Sequence, residues 1–237
     1  MTPFKNQLQV DIHDVDFNGI AKTSALMRYI QSAAQLQLAE NGKSYDNLKN
    51  EHRAFILSKI KMEFTDALRA YEPITVTTFP CDSKGYSFLR CYTIEKFDET
   101  VGRAVSVWAL VDTDTHSLIR VNDFDLGLTT YSPLDLSIDR MVMPSIMETV
   151  GHYTVEYGII DQNRHMNNTA YPDMYSNFLP LDGKRIESIT ISFKNEAPAK
   201  DKLTVERAIV DDTYYFRTIR TDGKINTEAE IRLTDVK

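Results

Sequence analysis

Four polar side chains in the second half of the chain are of the types that can activate water. Asp161, Asn163 and His165 stand at alternate positions, and Glu196 follows at the end of a later apolar stretch. A carboxylate or an imidazole can take a proton from water, and an amide can hold that water or a carbonyl oxygen in place. The four residues therefore predict general-base chemistry, provided that they lie together.

Each of these residues also has an ordinary structural explanation. Asp161 and Asn168 fit turn and helix-capping positions, and Glu196 fits an exposed strand end that is closed by Pro198. A single histidine before a helix is more often structural than catalytic. The chemical interpretation thus depends on the elements that position the set.

An internal repeat predicts those elements. Both halves contain an extended segment, one helix and four further strands in the same order, and the helix with its exit loop is longer in the first half. The first half gives residues 4–16, a helix over 23–42, and strands over 55–64, 73–80, 86–97 and 101–112; the second gives 151–161, a helix over 167–179, and strands over 185–197, 201–210, 214–221 and 225–236.

The strands are predicted from apolar residues at every second position, as at Ile189, Ile191 and Phe193, which is typical of antiparallel strands buried on one face. The first helix has a broad apolar surface, with Thr23 or Ser24 able to cap its start and Gly42 able to end it. One helix and a long antiparallel meander, repeated twice, indicate an α+β fold in which each sheet curls around a central helix.

The two copies differ at the places where chemistry would occur. Asp16 and Asn18 match Asp161 and Asn163, but Ile20 stands where the second copy has His165. Asp66 in the first copy corresponds to Glu196 in the second. We therefore expect one active site, in the second domain (150–237), while the first domain (1–121) serves binding and support. Residues 122–149, which carry Pro133 and Pro144, are predicted to be the interdomain linker.

Composition excludes several classes of function. The net charge is −7 and basic tracts interleaved with aromatic residues are missing, so nucleic acid is not an expected partner. The longest apolar runs are too short for a membrane span, and the start of the chain does not resemble a signal peptide, which favours a cytoplasmic location. Cys81 and Cys91 are expected to be reduced and buried, without metal-ligand spacing around them. We expect neither a metal nor another cofactor.

The segment DQNRHMNNTAY resembles the D-x-N-x-H-x-x-N-x-x-Y motif of the acyl-acyl-carrier-protein thioesterases, which release fatty acids from their carrier. FKNEA is similar to the same family's motif around an acidic residue, and AVSVWALVDTDTHSLIRV is similar to a strand pair of its first domain. The resemblance covers nearly the whole chain and implies two tandem hot-dog domains, each a curved antiparallel sheet around a central helix. It implies a hydrolase with catalytic Asp161, Asn163, His165 and Glu196.

Ala197 follows the acid where many plant members of this family have a cysteine, which favours a general-base mechanism with water as the nucleophile. The sequence does not show the family's plant-type N-terminal targeting extension, so a bacterial-type cytoplasmic member is expected. The resemblance also implies that acyl carrier protein (ACP) is the partner and that the acyl chain binds in the first domain. Candidate acyl-chain contacts are Met27, Ile30, Ala34, Ile60, Met62 and Trp108. Candidate carrier-docking residues, chosen because the carrier is acidic, are Lys184, Arg185, Lys194, Lys200 and Lys202.

Thioester hydrolysis needs an activated water and a site for the developing oxyanion, since a thiolate leaves without strong acid help. Glu196 or Asp161 could accept the proton, and His165 could share that task or orient the water. Free N–H groups at the helix start near Asn168 are the expected oxyanion site. Three other functions remain possible from the sequence. The chain could hydrolyse acyl-coenzyme A, it could bind acyl groups without catalysis, or it could be a hot-dog dehydratase, which matches the residues less well. The sequence does not determine the oligomeric state, and a homodimer is one possibility.

Overall fold

A computed structural model describes residues 2–236, so the outermost residues of the two predicted domains, 1 and 237, lie outside the described part of the chain. Within that part the elements are β1 (Phe4–Gln9), α1 (Thr23–Glu40), α2 (Tyr45–Asn50), β2 (Arg53–Phe64), β3 (Pro73–Pro80), β4 (Phe88–Lys96), β5 (Glu99–Asp112), β6 (Leu118–Ile119), β7 (Glu148–Thr154), α3 (Tyr171–Ser176), β8 (Lys184–Phe193), β9 (Lys202–Val210), β10 (Thr213–Ile219) and β11 (Ile225–Asp235).

The strands form one continuous antiparallel sheet in the order β1-β3-β4-β5-β2-β8-β11-β10-β9-β7, with β6 paired to β5. Each half contributes one meander, and the two meanders join where β2 pairs with β8, in a register that sets Ile60 opposite Ile191 and Met62 opposite Ile189. Because β2 and β8 are equivalent strands of the repeat, the two halves are related by an approximate twofold axis. The predicted α+β tandem hot-dog fold is confirmed.

The core lies between the sheet and the helices, as the alternating pattern predicts. Met27 and Ile30 on α1 are fully buried, and so are Met174 and Tyr175 on the much shorter α3. Apolar residues of β2 and β8 fill the same core. Burial of large side chains at about 25 cal/mol per Å² of apolar surface drives the packing of each helix on its sheet.

Two local predictions about the first half need correction. Helix α1 begins at Thr23 after Lys22, so Thr23 and Ser24 lie inside its first turn and the capping prediction was wrong. Its end is as predicted: Gly42 has φ +70° and its N–H donates to Ala39, which is the usual left-handed helix terminator. The longer exit loop contains α2, whose start is capped by the Ser44 hydroxyl. The apolar pattern of the loop did not predict this helix.

The chain between the halves runs irregularly from residue 124 to residue 147. Leu136 of this segment packs against Cys81, Cys91 and Val105 on the sheet. Both cysteines are buried and free, as expected. Within residues 2–236, every helix is too short or too polar to cross a membrane.

Candidate active site

A tight turn between β7 and α3 carries three of the four predicted residues. The Asp161 N–H donates to the His165 carbonyl at 2.9 Å and closes the turn. The Asp161 Oδ1 accepts the backbone N–H groups of Asn163 at 2.9 Å and His165 at 3.3 Å. Arg164 takes a φ of +66°, a conformation that costs energy for a residue with a side chain. Asp161 therefore acts here as the turn-forming residue, the structural alternative that its position suggested.

The fourth residue, Glu196, lies on the loop after β8, and backbone pairing brings this loop to the turn. The Met166 N–H donates to the Ala197 carbonyl at 2.8 Å, and His165 forms a bridge with Pro198. Behind the loop, the Asn195 side chain donates to the Ile225 carbonyl at 2.7 Å. The loop is thus fixed on both sides, which sets the position of the Glu196 carboxylate.

The two segments place His165 against Glu196. The His165 Nδ1 lies 3.1 Å from the Glu196 Oε2, and their side chains are 33% and 57% exposed. When Nδ1–H donates to a carboxylate, the neutral imidazole keeps an unprotonated Nε2 that can accept a proton. The pair therefore has the geometry of an imidazole oriented by a carboxylate, and solvent can reach both side chains.

The first half of the chain also contributes to this site. The Tyr45 hydroxyl, at the start of α2, donates to the Asn163 Oδ1 at 2.8 Å. The Gln31 amide on α1 donates to the Asn168 Oδ1 at 3.0 Å. Neither Tyr45 nor Gln31 was singled out in the sequence, because nothing in the local pattern of α1 or α2 indicates a contact with a turn more than a hundred residues later.

Two further residues support the site from inside the core. The buried Asn226 amide donates to the Tyr171 hydroxyl at 3.0 Å and to the Asn195 carbonyl beside Glu196. Burial raises the pKa of Tyr171, so its hydroxyl stays protonated. Tyr171 is the last residue of the motif around His165, and this position in the motif could have identified Tyr171 from the sequence. Asn226 belongs to no such motif, so the sequence did not indicate its contact with the site.

The expected oxyanion donors at the start of the next helix are only partly available. A single turn of 3-10 helix, Asn168–Ala170, precedes α3. Asn167, rather than Asn168, caps this turn, and its Oδ1 accepts the Thr169 N–H at 3.0 Å and the Thr169 hydroxyl at 2.8 Å. One of the N–H groups expected to hold an oxyanion is therefore already occupied.

The equivalent place in the first copy has the same backbone but different chemistry. Asp16 Oδ1 accepts the N–H groups of Asn18 at 2.8 Å and Ile20 at 3.3 Å, matching the turn at Asp161. Asp66, the counterpart of Glu196, pairs with Lys96 at 2.7 Å, and the hydrogen bond from Lys96 lowers the pKa of Asp66. A cavity of about 470 Å³ lies here, but the imidazole is replaced by Ile20 and the carboxylate is tied to a lysine.

A narrow apolar slot lies between α1 and the sheet of the first half, in the domain where the acyl chain was predicted to bind. Ala34 and Trp108 line it, together with Gln31, Phe88 and Leu126. The other four predicted contacts lie in the adjacent core with at most 1% of their surface exposed: Met27, Ile30, Ile60 and Met62. The slot has a volume of about 40 Å³, close to the ~30 Å³ that one water occupies in the liquid. This volume is too small for an acyl chain with the lining side chains in their present positions.

The five predicted docking residues do not form one basic surface. Three of them pair with carboxylates, and the other two lie on strands of the sheet. Lys184 pairs with Asp235 at 3.6 Å, Lys194 with Glu228 at 3.8 Å and Lys200 with Glu156 at 2.7 Å. Arg185 donates to the carbonyls of Phe64 and Thr65, and Lys202 opens β9. Lys184 and Arg185 line the cavity at the Asp16 turn. Lys194 and Lys200 flank Glu196 in the chain, and Lys202 follows Lys200 by two residues.

Comparisons with known proteins agree with this architecture. One structure of similar fold is an acyl-ACP thioesterase from Bacteroides thetaiotaomicron, with a TM-score of 0.89, 18% identity, and 97% of each chain covered. Another is a 12:0-ACP thioesterase from Umbellularia californica, with a TM-score of 0.85, 14% identity, and 98% of this chain and 97% of the other covered.

Sequence relatives point the same way. The chain is 22% identical over 262 residues to a chloroplastic oleoyl-acyl carrier protein thioesterase of Coriandrum sativum, covering 99% of this chain and 70% of that protein. The profile of the acyl-ACP thioesterase N-terminal domain matches residues 2–125, and that of the C-terminal domain matches residues 145–235. The chain belongs to the acyl-ACP thioesterase family.

Proposed function

We propose that the chain hydrolyses the thioester of fatty acyl-ACP and that His165 and Glu196 activate the attacking water. The observation that carries this proposal is the 3.1 Å contact between the His165 Nδ1 and the Glu196 Oε2. It supports a carboxylate that orients an imidazole, the usual way to prepare a histidine as a general base. Family membership supports the substrate class, and the geometry supports the proposed roles of the two side chains.

The steps follow from that assignment. The His165 Nε2 takes a proton from water, and the hydroxide adds to the thioester carbonyl carbon to give a tetrahedral oxyanion. The oxyanion collapses, the carbon–sulfur bond breaks, and the carrier thiolate takes the proton held by His165. A thiol with a pKa of about 8.5 is a good leaving group, so the demanding step is the activation of water. Glu196 stabilises the imidazolium formed in the first step.

Asn163 is proposed to hold the carbonyl oxygen. Its Oδ1 accepts the Tyr45 hydroxyl, so the amide NH₂ is the end that can donate to the oxyanion. Asp161 is proposed to act indirectly, through the turn that positions Asn163 and His165. In this assignment Ala197 has no chemical part, which agrees with water as the nucleophile.

Removing either member of the pair tests the mechanism. We expect Glu196→Ala and His165→Ala each to lower kcat by at least ~100-fold, as for loss of a general base, with little change in the melting temperature because both side chains are partly exposed. Asn18→Ala and Asp66→Ala in the first copy are the matched controls and should retain the chemical step. Turnover of Glu196→Ala close to wild type would exclude the mechanism, and a wild-type chain without turnover would favour the acyl-binding alternative.

The identity of the carrier is tested by presenting one acyl chain both on ACP and on coenzyme A. We expect the higher kcat/KM with ACP, since acidic carrier surface can be steered by basic side chains. Lys200→Glu, on the loop after Glu196, should reduce this preference if that loop faces the carrier. Equal kcat/KM for both substrates would identify a general acyl thioesterase instead.

Several predictions from the sequence complete the proposal. We place the acyl-binding domain at residues 1–121, the linker at 122–149 and the catalytic domain at 150–237. A cytoplasmic location and a role in fatty acid biosynthesis remain predictions from the sequence and the family. A homodimer also remains a prediction, which sedimentation of the purified chain would test.

A further inference from the structure

Helix α2 holds one side chain at the candidate active site from the opposite half of the chain. Tyr45 is the first residue of α2, and the Ser44 hydroxyl caps the helix by accepting the Asn47 N–H at 3.2 Å. Leu48, one turn later, is buried with Phe88 and Leu110 in a cluster on the sheet. The helix is therefore packed firmly on the first half of the chain, and this packing fixes the position of Tyr45.

We propose that Tyr45 is a positioning residue for thioester hydrolysis: its hydroxyl fixes the Asn163 amide so that the NH₂ group is turned to the substrate carbonyl. The proposal rests on the function proposed above, because it assigns Asn163 the task of holding that oxygen. It gives a residue of the first domain a part in the reaction, in addition to the contact of Gln31 with Asn168.

The physical reason lies in the near symmetry of an amide side chain. The terminal torsion of asparagine is broad and roughly twofold, so an exposed Asn163 could present either its oxygen or its nitrogen. Only the nitrogen end can stabilise a negative oxygen. The 2.8 Å bond from the Tyr45 hydroxyl occupies the oxygen end and so selects one of the two orientations.

Tyr45 is also suited to act as a donor. Burial, followed by the negative charges of Asp161 and Asp46, raises the pKa of Tyr45 above its usual 10.0. The hydroxyl therefore keeps its proton at any working pH near neutrality. A serine or threonine at the start of α2 would be too short to reach across the domain boundary.

Asn18, the counterpart of Asn163 in the other copy, shows how an amide with a purely structural role is bonded. The Asn18 Nδ2 donates to the Leu181 carbonyl at 2.7 Å and to the Lys184 carbonyl at 3.1 Å, while its Oδ1 accepts the Gly183 N–H at 3.2 Å. Both ends of that amide are used by backbone groups of the second half. Asn163 differs because its Oδ1 accepts a hydrogen bond from a side chain, the Tyr45 hydroxyl, rather than from the backbone.

The test compares Tyr45→Phe with wild type under single-turnover conditions, with enzyme in excess over acyl-ACP, and in the steady state. We expect the chemical rate to fall about 2- to 10-fold, which is the effect of one hydrogen bond, while KM and the melting temperature stay near wild type. Asn18→Ala removes a cross-domain contact of similar type and should leave the chemical rate unchanged. This control separates positioning of Asn163 from general loosening of the domain interface.

A double-mutant cycle with Asn163→Ala decides whether Tyr45 acts through Asn163. We expect Tyr45→Phe to cause no further loss in the Asn163→Ala background. An unchanged rate for Tyr45→Phe, or an equal loss in both backgrounds, would overturn the proposal. Failure of the general mechanism would be seen separately, as retained turnover of Glu196→Ala, so the two results can be distinguished.

Discussion

Two aspartates form the same turn in the two copies, yet only one of these turns carries a histidine. Asp16 and Asp161 each accept two backbone N–H groups through Oδ1 and hold the same turn. The difference lies two residues after the asparagine, where the side chain is either Ile20 or His165. At the scale of single residues, the candidate base therefore stands on a turn that both copies form with the same hydrogen bonds.

This pair provides a matched experiment on the role of Asp161. Asp161→Ala and Asp16→Ala should each lower the free energy of unfolding by about 1–2 kcal/mol, since each loses two hydrogen bonds to a charged group at a partly exposed turn. Only Asp161→Ala should also lower kcat, by about 10-fold, because His165 and Asn163 lose their positions. Urea unfolding and steady-state kinetics would measure both effects, and equal losses of activity in the two variants would contradict this assignment.

Among the elements, the loop from Glu196 to β9 depends on a buried carboxylate at its far end. Asp201 has a side chain that is 3% exposed and binds Arg220 at 3.1 Å. It also accepts the Thr221 hydroxyl at 2.7 Å and the Thr221 N–H at 3.2 Å. Burial opposes the charge of Asp201, but these hydrogen bonds outweigh it and hold the pKa of Asp201 below its usual 3.8. The loop that carries Glu196 is thereby tied to the β10–β11 turn.

The lowered pKa gives a prediction about acid stability. A carboxylate with a folded-state pKa below its unfolded value stabilises the fold fully above the unfolded pKa and loses this effect as the pH falls through the folded value. The unfolding free energy of wild type should therefore drop more steeply than that of Asp201→Asn as the pH falls below the usual aspartate pKa of about 3.9. At neutral pH we expect Asp201→Asn to be about 1–3 kcal/mol less stable. Parallel acid profiles for the two proteins would contradict the assignment.

Over the whole molecule, the two halves form one enzyme because the sheet is continuous and the site is shared. Residue pairs such as Ile60 and Ile191 join the meanders, and Gln31 both lines the apolar slot and donates to Asn168 beside the site. An acyl chain held under α1 would therefore have its thioester end near the turn of the other half. The proposed function needs such an arrangement, because it places acyl-chain binding in one copy and the reaction in the other.

Filling the slot should change chain-length preference without affecting the chemistry. Ala34 lines the slot from α1. The larger side chain of Ala34→Leu would compete with an acyl chain for this region, at a cost of about 0.8 kcal/mol of binding for each methylene group excluded. We expect kcat/KM for long acyl chains to fall at least ~10-fold relative to short ones, measured over a panel of acyl-ACP substrates of graded length. Turnover of the shortest substrate serves as the internal control. A uniform loss at every length would mean that Ala34 does not contact the chain.

The sequence by itself predicted the fold well, because the repeat and the strand alternation are local patterns with a direct physical cause. It also identified Asp161, Asn163, His165 and Glu196 as one candidate set, since the second copy is the one with the histidine. Alternation shows which face of a strand is buried. It does not show whether space remains between helix and sheet, so the prediction named four core residues along with Ala34 and Trp108.

Only the tertiary structure decided which residues complete the site and how the four are arranged. The contact of Tyr45 with Asn163 joins residues 118 positions apart, and no periodicity within either segment encodes such a contact. The orientation of His165 by Glu196 likewise depends on the pairing of His165 with Pro198. Local sequence determines which elements form, whereas the distances between side chains on different elements are determined by how those elements pack.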